Sequence, residues 1–106
     1  MEITGADLYA PGLNFVFGIA DTESRRALIS LARLRPVFYG SPPDDTLSLQ
    51  RAVKEAVHEL GHTYGLGHCR DPRCIMFCSN TLHDTDVKGP GFCAACREKA
   101  NRGIRG

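Results

Sequence analysis

The stretch His58–Cys69, HELGHTYGLGHC, places three of the chain's four histidines within eleven positions and closes on a cysteine. An ordinary buried helix has no use for so many imidazoles. His58 and His62 stand at i and i+4, so one helix face offers two nitrogen ligands about one turn apart. Two ligands on a rigid helix give a metal half of a tetrahedral shell with little entropy lost. Glu59 projects beside that face, placed to take a proton from water at the metal rather than to bind the metal. The helix must then stop for a third ligand to approach from another direction. Gly65 permits the break, because glycine tolerates positive φ, and His68 follows it. Three protein ligands leave one position open, as in a catalytic zinc site. Zinc there lowers the pKa of water to about 7 and polarises a carbonyl oxygen. Glu59 would accept the proton and later deliver it to a leaving amine. The ordinary alternative is two solvated histidines and one in a loop. His58, Glu59, His62, Gly65 and His68 together favour the metal.

The surrounding pattern supplies a helix and a small sheet. Thr46 to Tyr64 is expected to be helical, capped by Asp45 or Thr46. Leu49, Val53, Ala56, Val57, Leu60 and Tyr64 form one apolar stripe at helical spacing. That stripe is expected to pack on the sheet, with His58 and His62 on the opposite side. Asn14 to Ala20 reads as a strand, and Arg26 to Leu34 as a second one paired with it in a hairpin across the turn DTES. GSPPDD, Gly40 to Asp45, is a loop. CAACREKANR, Cys93 to Arg102, is a short helix, and Arg97, Lys99, Arg102 and Arg105 favour its C-terminal end.

Cys69, Cys74, Cys93 and Cys96 form C-x4-C and C-x2-C pairs. Four thiolates can close a tetrahedral shell with no open position, the mark of a structural zinc. Such a site would tie the loop after His68 to the C-terminal helix, and metal binding there contributes folding free energy. Free thiols, a redox-active Cys93–Cys96 pair or an iron–sulfur cluster remain chemically open on the ligand set alone. Cys78, the fifth cysteine, reads as a small buried hydrophobe, and His83 as a surface or helix-capping residue.

With 106 residues the chain has room for one domain, 1–106, with a modest core that a structural metal would help. Thirteen Lys and Arg against 12 Asp and Glu leave a net charge of +1, which gives no electrostatic case for nucleic acid or membrane. No window approaches 18 continuous apolar residues. The start MEITGADLYAPG does not read as a signal peptide, so a cytoplasmic location is the default expectation, and with it cysteines that serve metals rather than disulfides.

His58-Glu59-x-x-His62-x-x-Gly65-x-x-His68 resembles the zinc signature of the metzincin metallopeptidases. The continuation through Cys69, Cys74, Met76 and Cys93-x-x-Cys96 is similar to the archaemetzincin family, as are DLYAPGLNFVFGIAD and LISLARLRPVFYG. The resemblance implies an α+β fold: an abbreviated metzincin-like catalytic domain lacking the family's N-terminal part. In it a small twisted sheet packs on the active-site helix, followed by a methionine turn and a C-terminal zinc knuckle with its helix. Met76 would place its thioether beneath the ligands. The implied cofactors are two zinc ions, catalytic on His58, His62 and His68 and structural on Cys69, Cys74, Cys93 and Cys96. A monomeric peptidase acting on peptides or proteins is the leading expectation. A zinc-binding interaction module without turnover is the alternative, and Glu59 speaks against it, since pure binding needs no acid there.

Overall fold

The computed structural model describes residues 1–8 and 16–105. Its element order is β1 (Glu2–Thr4), β2 (Gly18–Asp21), β3 (Arg26–Ser30), a 3₁₀ turn at Pro36–Tyr39, then α1 (Asp45–Thr63), α2 (Leu82–Val87) and α3 (Ala94–Arg105). β2 and β3 form the expected antiparallel hairpin, with Ile19 opposite Leu28. The carboxylate of Asp21 closes its turn by accepting from the backbone of Glu23 and the hydroxyl of Ser24. β1, which the sequence reading did not anticipate, joins the other side of β3 in parallel, so the strand order is β1-β3-β2. Three residues are too few to show a period.

Both predicted strands are longer than the observed ones. The first was expected over Asn14 to Ala20, of which Asn14 and Phe15 lie outside the described residues; Val16 makes an isolated bridge to Leu8. The second ends at Ser30 rather than Leu34. There the Ser30 hydroxyl donates to the Ala6 carbonyl at 2.6 Å, and the chain turns so that Leu34 is fully buried and Arg33 pairs with Asp7.

α1 matches the predicted helix to within a residue at each end, although its cap is Asp44, whose carboxylate accepts from the Leu47 amide at 3.0 Å. Such a cap contributes about 1 kcal/mol. The expected facing of α1 is wrong. The buried residues are Arg51, Glu55, His58, Glu59, Gly61 and Thr63. Leu49, Val53, Leu60 and Tyr64 are 64%, 50%, 36% and 40% exposed. Close approach decides the facing. A Cβ at Gly18 of β2 would lie 2.7 Å from Glu59 Cγ, and a Cβ at Gly61 would lie 2.5 Å from Met76 Sδ. The helix therefore seats its polar, glycine-notched face on the sheet and on the segment around Met76. The polar groups find partners there: Arg51 makes a two-pronged bond to Asp86 and donates to the Leu34 carbonyl.

Beyond α1, Leu66, Cys74, Ile75, Met76, Cys96 and Ala100 form a second core, joined by Val57 and Phe92. Two elements here went unread. α2 opens with a capping box in which Thr81 and Asp84 exchange bonds, a sequence-visible start signal. The 3₁₀ turn follows from Pro36 at its first position. α3 begins one residue later than predicted and runs to Arg105. Among the described residues, no helix is long and apolar enough to cross a membrane.

Candidate metal centres and the cleft between helix and sheet

His58 and His62 leave α1 one turn apart. His58 Nδ1 donates to the Ile75 carbonyl at 2.8 Å, and His62 Nδ1 donates to the Leu66 carbonyl at 2.8 Å. A carbonyl can only accept, so Nδ1 is the donor in both rings, which leaves Nε2 as the nitrogen available to a metal. Those two Nε2 atoms lie 3.2 Å apart. Both atoms therefore face one point, where a single metal ion could take a lone pair from each.

The helix ends at Thr63 with Tyr64 as its cap, and Gly65 takes φ +89° as its role in the sequence required. The chain then returns, and His68 stacks on His58 with ring centroids 5.5 Å apart. One ligand atom from each of the three histidines falls within 4.8 Å of the others. The donor set suits zinc: metal–nitrogen bonds of about 2.0–2.1 Å in a tetrahedron put nitrogens roughly 3.3 Å apart. Burial pushes the pKa of His58 down to about 3, against the bond to Ile75, with Lys88 and the other two histidines adding to the effect. His68 is also lowered, first by partial burial and then by His62 and Lys88. His58 thus stays a neutral ligand at pH 7.

Glu59 is buried between α1 and Gly18 of β2. Burial first, and then the neighbouring Glu55 carboxylate, raise its pKa to about 7, with Lys88 opposing. Histidines and glutamate line a cleft of about 650 Å³. Gly18, Ile19 and Ala20 of β2 form its opposite wall, and Cys78, Ser79 and Asn80 its end. Cys78 is therefore half-buried at the cleft, not the core hydrophobe the sequence suggested. His83 is exposed on α2, as expected.

Cys69, Cys74, Cys93 and Cys96 converge in the second core, again with ligand atoms within 4.8 Å of one another. Cys69 Sγ and Cys93 Sγ are 3.8 Å apart, and all the cysteines are free. A disulfide needs about 2.05 Å. A tetrahedron with metal–sulfur bonds of about 2.3 Å puts its sulfurs roughly 3.8 Å apart. The backbone amides of Met76 and Cys93 donate to Cys74 Sγ, which suits a thiolate. A bond from the Cys96 backbone amide is the main cause that lowers Cys93 to about 7, whereas burial raises Cys96.

The two clusters share a frame. Cys69 N–H donates to the Met76 carbonyl at 3.0 Å and Cys69 makes an isolated parallel bridge to Phe77, so the segment carrying His68 and Cys69 runs beside Ile75–Phe77. Met76 is fully buried with its sulfur against Gly61, the residue before His62. Every proposed ligand, with Glu59, Gly65 and Met76, thus falls in one region. The sequence reading missed Gly18, Glu55 and Lys88. Glu55 could have been found, since Glu55, His58, Glu59 and His62 share one helix face by spacing.

Residues 1–102 match Peptidase family M54. The archaemetzincin of Thermococcus kodakarensis is 51% identical over 102 residues, covering 96% of this chain and 55% of that protein. The crystal structure of a zinc-dependent peptidase from Methanocorpusculum labreanum superposes with a TM-score of 0.92 at 45% identity, covering 93% of this chain and 52% of that one. The archaemetzincin structure from Methanopyrus kandleri gives 0.88 at 50% identity, covering 98% and 54%. The chain belongs to peptidase family M54, with the archaemetzincins. It spans about half the length of these relatives.

Proposed function

We propose that the chain is the zinc-binding, peptide-hydrolysing part of an archaemetzincin. The observation that carries this reading is the convergence of three imidazoles, with the Nε2 atoms of His58 and His62 3.2 Å apart and each of these two rings fixed by a carbonyl behind it. His58, His62 and His68 hold one zinc, and Cys69, Cys74, Cys93 and Cys96 hold a second, structural one. Zinc on the histidines supplies a Lewis acid that activates water and polarises the scissile carbonyl. The protein's own groups do the rest. Glu59, with a pKa raised to about 7, is poised both to accept a proton and to return it, because a base works best near the operating pH. β2 pairs with β3 on one side and lines the cleft. Among the described residues its outer edge has no strand partner, so an extended substrate can align there by main-chain bonds.

Metal analysis with a peptide-library assay tests the reading. Two zincs per chain and cleavage lost on Glu59→Gln are expected. Iron in place of zinc, or only one zinc in a fully loaded sample, would sink the two-zinc assignment. Two zincs without cleavage of any peptide would favour a metal-binding interaction module.

A further inference from the structure

Behind the histidines lies a buried ion pair that the hydrolytic reading leaves without a role. Glu55, one turn before Glu59, is 3% exposed, and Lys88, at the end of α2, is 1% exposed. Lys88 Nζ lies 3.0 Å from Glu55 Oε1, and the Thr85 hydroxyl donates to the same oxygen at 3.0 Å. Lys88 Nζ also donates to the Phe77 carbonyl at 3.2 Å. Two backbone bonds extend this contact: Gly89 N–H to the Arg73 carbonyl at 2.7 Å, and Ile75 N–H to the Gly91 carbonyl at 3.0 Å. Residues 88–91 therefore act as a splint along residues 73–77. In the middle of the splinted segment is the Ile75 carbonyl, the group that aims His58.

A pair buried this deeply is a poor device for stability alone, because apolar residues of similar volume often serve as well or better. It is a good device for geometry, since an ammonium makes directed bonds and a methyl group makes none. We propose that the Glu55–Lys88 pair is a positioning device for His58. Glu55 fixes Lys88 to α1, Lys88 fixes the Phe77 carbonyl, and the Ile75 carbonyl two residues earlier is held at the height where it captures His58 Nδ1 and turns Nε2 toward His62. The proposal rests on the three histidines being a metal site. Groups that orient a ligand typically contribute about 10–100-fold to metal affinity. Lys88 acts one step behind such a group, so about tenfold is expected.

The test is a cobalt(II) titration of the full chain whose cysteine site has first been filled with one equivalent of zinc. Visible d–d bands then report the histidine site, and the absence of thiolate-to-cobalt absorption shows that the cysteine site is closed to cobalt. The double variant Glu55→Leu/Lys88→Met removes both charges together, so neither is left buried alone. It should melt within a few degrees of wild type, bind cobalt about tenfold more weakly, and show shifted d–d bands. Wild-type affinity and spectrum in the folded double variant overturn the proposal. Should the double variant fail to fold, Glu55→Gln keeps the volume and an oxygen for Thr85, and unchanged cobalt affinity there overturns it equally. Loss of the fold in both variants assigns the pair to the scaffold alone, which also overturns it. Failure of the wild-type chain to bind cobalt at the histidines, with His62→Ala as baseline, refutes the metal reading and this one with it.

Discussion

The histidine cluster takes two of its three side chains from a single helix, and each has a backbone carbonyl behind it. The cysteine cluster takes Cys69 and Cys74 from an irregular loop and Cys93 and Cys96 from the start of α3. The first opens on a cleft; the second lies within a core whose apolar members are few. The two meet at the His68–Cys69 peptide bond. A helix keeps its shape when a ligand leaves its surface, whereas loops that converge only on a metal do not. The same kind of substitution should therefore have opposite consequences in the two places.

Cys74→Ser should have the largest effect. Cys74 is buried, and its sulfur receives two backbone amides. Apparent binding free energies of structural zinc sites reach about 10–16 kcal/mol, more than the whole stability of most domains. The variant should lose the fold of residues 66–100 at ambient temperature, seen as collapsed amide dispersion in NMR spectra. A Cys74→Ser protein with native spectra would show that the apolar core suffices without metal.

Glu59→Gln sharpens the comparison from the other side. It should retain both metals, yet lower kcat by about 10²–10⁴ through loss of general-base help. Without metal on the histidines it should also be more stable than wild type above pH 7. The sign follows from the raised pKa. The folded state binds more protons than the unfolded state between the ordinary 4.5 and about 7, so stability falls as pH rises through that window and the cost is complete above it. Removing the carboxylate should recover about 3 kcal/mol at pH 8 and almost nothing below pH 4.5. His58 titrates in the opposite sense. With a pKa near 3 in the fold against 6.5 outside it, it withdraws stability as pH falls from 6.5 toward 3. Melting curves of the variant across pH should therefore keep an acid limb and lose the neutral one. An unchanged neutral limb would mean that Glu59 is hydrated.

These sites were legible to different degrees in the sequence, for physical reasons. Ligand spacing survives folding because i, i+4 on a helix is a local fact, so His58, Glu59 and His62 could be placed before any tertiary contact was known. Gly65 and the cysteine pairs are equally local. The facing of α1 is not. Periodicity shows that a helix has an apolar side and a polar side, but not which side meets the sheet. That choice rests on Gly18 and Gly61 admitting close neighbours and on Lys88 lying opposite Glu55, all relations between distant segments. β1 was missed because three residues show no alternation; α2 could have been found from Thr81 and Asp84.

His62→Ala should have a smaller effect on the fold than Cys74→Ser. With the histidine site emptied in both proteins, the substitution removes a half-buried ring and one bond to the Leu66 carbonyl. A neutral hydrogen bond contributes about 1 kcal/mol net, or about 4–8 °C in a domain of this size. Metal analysis should find one zinc, on the cysteines. If the variant melts as low as Cys74→Ser, the division into an open and a structural site is wrong.

The smallest effect is expected at the exposed positions of the apolar stripe of α1. Leu49 and Val53 are exposed although they belong to the helix's apolar stripe, while Glu55 between them and the histidines is buried. Hydrophobic side chains contribute to stability only through the surface they remove from water, and these remove little. Leu49→Gln and Val53→Gln should each change stability by less than about 0.5 kcal/mol, as surface substitutions do. Their combination should lower self-association, since a continuous apolar patch favours contact between copies. Light scattering against concentration checks the second effect, and denaturant melts the first. A cost of several kcal/mol for Val53→Gln, with a melting point that rises with protein concentration, would mean that the stripe is covered in solution by another copy. The rule that the polar face of α1 is the packed one would then hold only within a single chain.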